Sequence, residues 1–228
     1  KNQHKMTTTH HLQQGDILFQ QDYPNMNIYY IYEGIIKIYS LAESGKKITH
    51  ALFSSGDFVG VSAFENDHIS PFTAEVIDDA KVKIYEKKDL FELFKSSPHF
   101  AATIVSKLTK AQKEAYLRNV YLINFKVRER VAKSLLELGK SYGEKIKLGT
   151  QIKLRLSREE LASLIGIAPE TAIRFLSEFK RKKYITESNH RIIILNQAAL
   201  EKVFTKTCHT KGDKNEKQAK NCDENFCS

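Results

Sequence analysis

Apolar positions between residues 15 and 85 come in short runs rich in β-branched and aromatic side chains: residues 17–19, 29–32, 35–39, 48–53, 72–77 and 82–85. Gly34, Gly45 and Gly56 punctuate them at 11-residue spacing, which predicts antiparallel strands joined into a sandwich or roll. A short helix is expected over residues 89–94. Ser97-Pro98 then reads as a helix start, with Ser as N-cap and Pro at the first helical position. The next 25 residues carry no Gly or Pro. Ile104, Leu108, Ala111, Ala115, Arg118 and Leu122 step by 4, 3, 4, 3 and 4, a heptad stripe suited to a partner helix. Val105, Leu117, Val120 and Tyr121 are left to cover another surface. A two-fold dimer along this helix is therefore expected, with Ile104, Leu108, Ala111, Ala115 and Leu122 at its interface.

Helical spacing resumes at residues 126–138 through Val127, Val131, Leu135 and Leu138, and a loop is expected around Gly139, Gly143 and Gly149. Residues 152–156 alternate apolar and basic, as a half-buried strand does. Ser157-Arg158-Glu159-Glu160 has the form of a capping box. Leu161, Leu164 and Ile165 give the helix that follows one apolar face, and Gly166 ends it. Pro169 opens a second helix with an inner stripe of Ala172, Phe175, Leu176 and Phe179 and an outer stripe of Glu170, Ile173, Arg174 and Ser177. A strand at residues 184–186, a turn at Ser188-Asn189 and a strand at residues 192–195 add a wing. The fold class is thus α+β: an antiparallel β-roll over residues 1–97, a long dimerisation helix over 98–125, a winged helix-turn-helix over 126–205, and a tail over 206–228 that reads as disordered.

Two short helices joined by a tight Gly turn place the second in the major groove of double-stranded DNA. There Arg174 can give a bidentate bond to guanine, Glu170 can accept from the amino group of cytosine, and Ile173 lies between them on the same face. Their four-residue spacing is equally that of a surface ion pair. Ser157, Arg158, Thr171, Lys153, Arg155 and Arg191 are the expected phosphate contacts, whose loss weakens all sequences alike.

The charge distribution agrees. Residues 1–125 hold 14 basic and 14 acidic side chains, whereas residues 126–205 hold 17 and 9, so nearly all of the net +9 sits in the segment with the helix pair. Concentrated positive charge of this kind serves a polyanion. No apolar run reaches the roughly 20 residues of a membrane helix. The opening KNQHKMTTTHHLQQ is polar and three Cys lie in the last 21 residues, so a cytoplasmic protein is expected, with upstream residues preceding Lys1.

Residues 156–185, LSREELASLIGIAPETAIRFLSEFKRKKYI, resemble the helix-turn-helix of the Crp/Fnr family (cyclic-AMP receptor and fumarate–nitrate regulator). Glu170 and Arg174 stand at the family's E-x-x-x-R base-reading positions, and GDFVG at positions 56–60 resembles its effector roll. The likeness spans residues 12–205. It implies a homodimeric transcription regulator, with RNA polymerase as a further partner, whose roll senses a small-molecule or gas signal. By the same resemblance Gly56, Asp57, Phe58, Val59, Gly60, Pro71, Phe72 and Thr73 are the candidate effector pocket. Family members that bind cyclic AMP carry an Arg-Ser pair where this chain has Pro71-Phe72, which argues against that effector. Pro169 replaces the Arg or Val found at the third base-reading position. Iron–sulfur members use N-terminal Cys, which this chain lacks.

The cofactor thus stays open between none, haem and an iron–sulfur cluster. Haem would draw on His10, His11, His50 or His68, and a cluster on Cys208, Cys222 and Cys227, whose spacing fits no compact ligand set. No metal site is expected. A cupin-type enzyme would need a His-x-His pair that the roll does not have, so no catalytic residue is expected. A sensory module acting on a protein partner without DNA is the remaining reading of another class.

Overall fold

The computed structural model describes residues 9–205, which form two compact units dividing after Val120. The first contains strands β1 (Thr9–Leu12), β2 (Ile17–Phe19), β3 (Asn27–Leu41), β4 (Lys47–Phe53), β5 (Phe58–Val59) and β6 (Thr73–Glu86), helix α1 (Lys87–Ser96) and most of helix α2 (Pro98–Asn124). All strand pairings are antiparallel; β6 and β3 form the spine, flanked by β1 and β4, with β2 on β6 and β5 on β3. The runs read separately at 29–32 and 35–39 are one 15-residue strand. Gly34 does not end it but bends it. Its φ is +89°, a Cβ there would lie 2.4 Å from the Asp79 carbonyl oxygen, and the β3–β6 register shifts around it. The runs at 72–77 and 82–85 likewise fuse into β6.

Two apolar clusters fill this unit. One joins Ile31, Ile36, Val76 and Val82, each 0% exposed, with Tyr29 and Val59. The other joins Ile28, Phe58, Ala63, Tyr85, Leu90 and Ile104. The second cluster corrects the expected phase of α2. Ile104 is only 4% exposed and belongs to the roll's own core, with Leu108 packed against it. A side chain already enclosed within one chain has no surface left for a partner. The roll takes the first part of the 104–122 stripe because it offers an apolar surface at the helix's start. Val105, Tyr116 and Ile123, the last 82% exposed, lie roughly a quarter turn round the helix, while Ala115 and Leu122 keep the far half of the stripe exposed.

The second unit contains α3 (Val127–Tyr142), β7 (Gly143–Ile146), β8 (Gly149–Ile152), α4 (Arg158–Ile165), α5 (Pro169–Arg181), β9 (Ile185–Ser188), β10 (Arg191–Ile194) and α6 (Gln197–Thr205). Its four-stranded sheet runs β7-β8-β10-β9. The expected loop at residues 139–149 is instead the end of a helix and a hairpin. Gly139 lies inside α3, where a Cβ would fall 2.7 Å from Ile194 Cδ1, and a Cβ on Gly149 would fall 2.1 Å from the Ile194 carbonyl oxygen. These glycines admit β10, and that is why the pattern misleads. The strand expected at 152–156 ends its ladder at Ile152. Its alternation persists beyond, with Leu154 buried and Lys153 and Arg155 exposed. Helix α6 went unread, although Asn196 Oδ1 accepts from Ala199 N at 2.9 Å and Leu200 and Val203 are buried at helical spacing. The tail at 206–228, with its three Cys, lies outside the described residues.

Candidate nucleic-acid interface

Ser157 caps α4 as its sequence demands: its Oγ accepts from Glu160 N at 3.0 Å, and Glu160 Oε2 accepts from Ser157 N at 3.0 Å. Gly166 ends α4 at φ +74°, ψ 47°, the left-handed conformation that lets Ile167 N reach Ala162 O. Pro169 then starts α5 at a position whose N–H would have no helical partner. Ala172, Leu176 and Phe179 turn fully inward, and Phe175 is half-buried. With that face fixed, Glu170, Ile173, Arg174 and Ser177 are all exposed on the other.

Glu170 and Arg174 do not form the alternative surface pair. The Arg174 guanidinium lies 5.0 Å over the Phe175 ring and bonds to no carboxylate among the described residues. The wing closes through Asn189 (φ 49°) and His190 (φ 61°), with Ser188 opposite Arg191, so its turn falls one residue beyond the expected Ser188-Asn189.

The expected phosphate contacts divide by what holds them. Arg155 is exposed, and Lys153 makes a loose, exposed pair with Glu144 at 3.5 Å. Arg158 and Lys180 are both held by Glu187 at 2.5 Å. Arg191 has its Nε buried without a hydrogen-bond partner among the described residues, and Thr171 is half-buried in the first turn of α5. Two carboxylates, Glu178 and Glu187, brace this unit, and neither role shows in the sequence pattern. Glu178 lies 3.0 Å from Arg128 on α3 and 2.8 Å from Lys182. Burial acts to raise both carboxyls, but hydrogen bonds from Lys182 and Arg128, or from Lys180 and Arg158, together with their charges, leave each below its ordinary value.

In the roll, the 56–60 segment is stitched into the sheet. Gly56 N donates to Ile31 O at 2.8 Å, Ile31 N donates to Asp57 O at 3.0 Å, and Val59 and Phe58 pair opposite Tyr29 and Tyr30. Phe58 and Val59 give their side chains to the two cores, so the segment leaves Asp57 and glycine main chain to offer a ligand. Asp57 accepts from Ser54 N at 3.0 Å and lies 3.7 Å from Lys107 Nζ.

Thr73 pairs with Tyr39 on β3, ten residues from Tyr29, and its Oγ1 accepts from Gln21 N at 3.0 Å. Pro71 is exposed, and the Phe72 ring lies 4.8 Å from His50. Sequence reasoning passed over Lys37, which sits 2% exposed inside an apolar run with Nζ 3.3 Å from Glu75. It also passed over the anchoring of α2: Arg118 donates to the carbonyl oxygens of His50 and, at 3.0 Å, Thr49 on β4.

Comparison with known proteins places these units. Residues 9–97 match the cyclic nucleotide-binding domain, and residues 129–203 match the Crp-like helix-turn-helix domain, in the order roll then reader. The chain belongs to the Crp/Fnr family. This Crp/Fnr member is a DNA-binding transcription regulator with an N-terminal antiparallel β-domain, long helices and a C-terminal helix-turn-helix. It is similar to the transcriptional activator protein Anr of Pseudomonas protegens, 23% identical over 189 residues covering 83% of this chain and 77% of the relative. The transcriptional regulator SdrP of Thermus thermophilus is 26% identical over 192 residues, 83% of this chain and 90% of SdrP. Among solved structures, a Crp/Fnr-family regulator from Thermus thermophilus superposes with a TM-score of 0.76 at 22% identity, covering 88% of this chain and 100% of that one. FixK2 from Bradyrhizobium japonicum gives 0.74 at 21% identity, covering 86% and 96%.

The residues of this Crp/Fnr roll do not fit a cyclic phosphate. Phe72 N donates to Ser70 Oγ at 3.3 Å, its side chain packs on His50, and the nearby Lys37 and Lys47 both pair with Glu75. Nor do the described histidines converge. His10 and His11 are exposed on β1, His50 Nε2 lies 2.8 Å from Ser40 Oγ, and His68 Nδ1 lies 3.1 Å from Ala63 O. Among the described residues no three His, Cys, Asp or Glu gather as metal ligands, and no helix is long and apolar enough to cross a membrane.

Proposed function

We propose that the chain is a homodimeric, sequence-specific regulator that reads a palindromic site with α5 and answers a signal sensed in its roll. It acts as a regulator and not as an enzyme, in the cytoplasm, with RNA polymerase as its further partner. The observation that carries this reading is the outer face of α5. Arg174 is exposed and uncommitted to any carboxylate among the described residues, on a helix whose inner face is locked by Ala172, Leu176 and Phe179. Such a guanidinium presents its donor fork to the O6 and N7 acceptors of guanine. Glu170 reads the adjacent cytosine and Ile173 packs against the base edges. Ser157, Thr171, Lys153, Arg155 and Arg191 lie along the phosphates, and Arg158 lies beside them, held by Glu187.

The roll at residues 1–97, the long helix at 98–125 and the winged helix at 126–205 are the working parts. Dimerisation uses the exposed side of α2, centred on Val105, Tyr116 and Ile123, with Ala111, Ala115 and Leu122 at its margin. Two copies of α5 then meet successive major grooves about 34 Å apart. The effector is not cyclic AMP, because the positions that would hold its phosphate carry Pro71 and Phe72.

The test is selection of bound duplexes from a random pool, followed by affinity measurements on the selected site. Arg174→Ala is expected to lose about 1–3 kcal/mol per half-site and to relax preference at one base pair. An unchanged preference would remove Arg174 from the reading face.

A further inference from the structure

One carboxylate ties together three elements of the DNA-binding unit, the wing, α4 and α5. Glu187 stands on wing strand β9, opposite Ile192. Its Oε1 lies 2.5 Å from Nη2 of Arg158, the first residue of α4, and its Oε2 lies 2.5 Å from Nζ of Lys180 in the last turn of α5. Both oxygens are used, one per cation. The three side chains are 22%, 33% and 38% exposed, more sheltered than the Lys153–Glu144 pair at 59% and 57%. Partly desolvated, charge-assisted contacts outlast exposed ones, which water and salt dissolve.

We propose that Glu187 competes with the DNA backbone for Arg158 and Lys180, withholding them from phosphate and so limiting how tightly the protein holds DNA of any sequence. The proposal rests on the DNA-binding reading above. Phosphate and carboxylate are rival acceptors for the same donors. A duplex that takes Arg158 must break a formed pair, and the stranded carboxylate then faces the polyanion. Arg155 has no such rival among the described residues, because it is exposed and none of their carboxylates bonds to it. The two arginines therefore differ in what they give to DNA, although each sits in the same basic stretch. Glu178 makes a similar double pair, but it joins α3 to α5 through Arg128, whose guanidinium also lies 5.5 Å over Phe179.

The experiment measures affinity of the full chain for a random-sequence duplex by fluorescence anisotropy across a salt series. Glu187→Gln keeps shape and removes the charge. It is expected to tighten binding roughly eightfold at about 0.1 M salt for each released cation that engages phosphate, and to steepen the slope of log K against log salt by about 0.9 for each, hence by about 1.8 with both Arg158 and Lys180. Glu187→Asp is expected to behave as the wild type. In an Arg158→Gln, Lys180→Gln background the gain is expected to disappear, since no cation remains to be released. Unchanged or weaker binding by Glu187→Gln, with an unchanged slope, leaves Glu187 a brace only and overturns the proposal.

A second comparison needs no change at Glu187, should that variant fold poorly. Arg158→Gln is expected to cost less than about twofold on random duplex, where Arg155→Gln costs roughly eightfold. Equal losses refute the competition. If the wild type binds duplex without salt dependence, the DNA-binding reading fails instead, and the two failures are told apart by that single curve.

Discussion

At the scale of single residues, side chains are decided by the room around them more than by their own chemistry. Gly34 is the sharpest case: a Cβ would meet Asp79 O at 2.4 Å and Ala80 Cα at 2.5 Å, and the backbone is left-handed. Gly34→Ala is expected to destabilise the roll by about 3 kcal/mol, combining positive-φ strain with backbone collision. A shift in denaturation midpoint equivalent to less than about 1 kcal/mol would show that β3 and β6 separate there easily. Lys37 teaches the converse. Nothing in a run of Ile-Ile-Lys-Ile-Tyr reveals that the lysine is enclosed, because its partner Glu75 comes 38 positions later. Arg174 was legible for the opposite reason. Its exposure follows from the helical phase of Ala172, Leu176 and Phe179, all within one helix.

At the scale of elements, local rules carried α4, α5 and the wing almost to the residue, since caps, a left-handed Gly and a proline start all act within a few positions. They failed where glycine served packing between elements, as at Gly139 and Gly149, which admit Ile194 of a strand some fifty residues on. They failed also in the phase of α2, whose heptad stripe fixes a helix without saying which face meets the roll. The elements of the second unit are further joined by Glu178 and Glu187, and this sets a response to acid. Both carboxyls lie below their ordinary 4.5, so their pairs contribute fully above that value and are lost as pH falls beneath it. Thermal unfolding of the Glu178→Gln, Glu187→Gln double variant is expected to lie below wild type at pH 7 and to converge with it as pH falls below the ordinary carboxyl range. A constant gap over that range would mean the carboxylates act through shape alone.

For the whole molecule, the order of roll, long helix and winged helix was readable, because each part declares its period and the net +8 of the reader is written in composition. The surface proposed for a second copy was not, since that depends on which stripe the roll consumes. Tyr116→Glu with Ile123→Glu is expected to convert a dimer to a monomer in sedimentation velocity and to lower affinity for a palindromic duplex at least tenfold, by removing linkage between half-sites. Ile104→Glu is expected instead to unfold the roll, being buried among Ile28, Phe58 and Leu90. Were Ile104→Glu to give a folded monomer, the dimer face would return to the 104–122 stripe.

The hold of Arg118 on β4 has its own logic. The guanidinium takes hold of main-chain oxygens, those of Thr49 and His50, and these two acceptors are present whatever side chains the strand carries. Substitution along β4 can therefore alter the roll's surface freely without erasing the handle by which α2 grips it. Moving the strand or replacing Arg118 does that. The grip is blind to spelling and alert to place, so mutation can refashion the face that β4 presents while Arg118 keeps both of its acceptors.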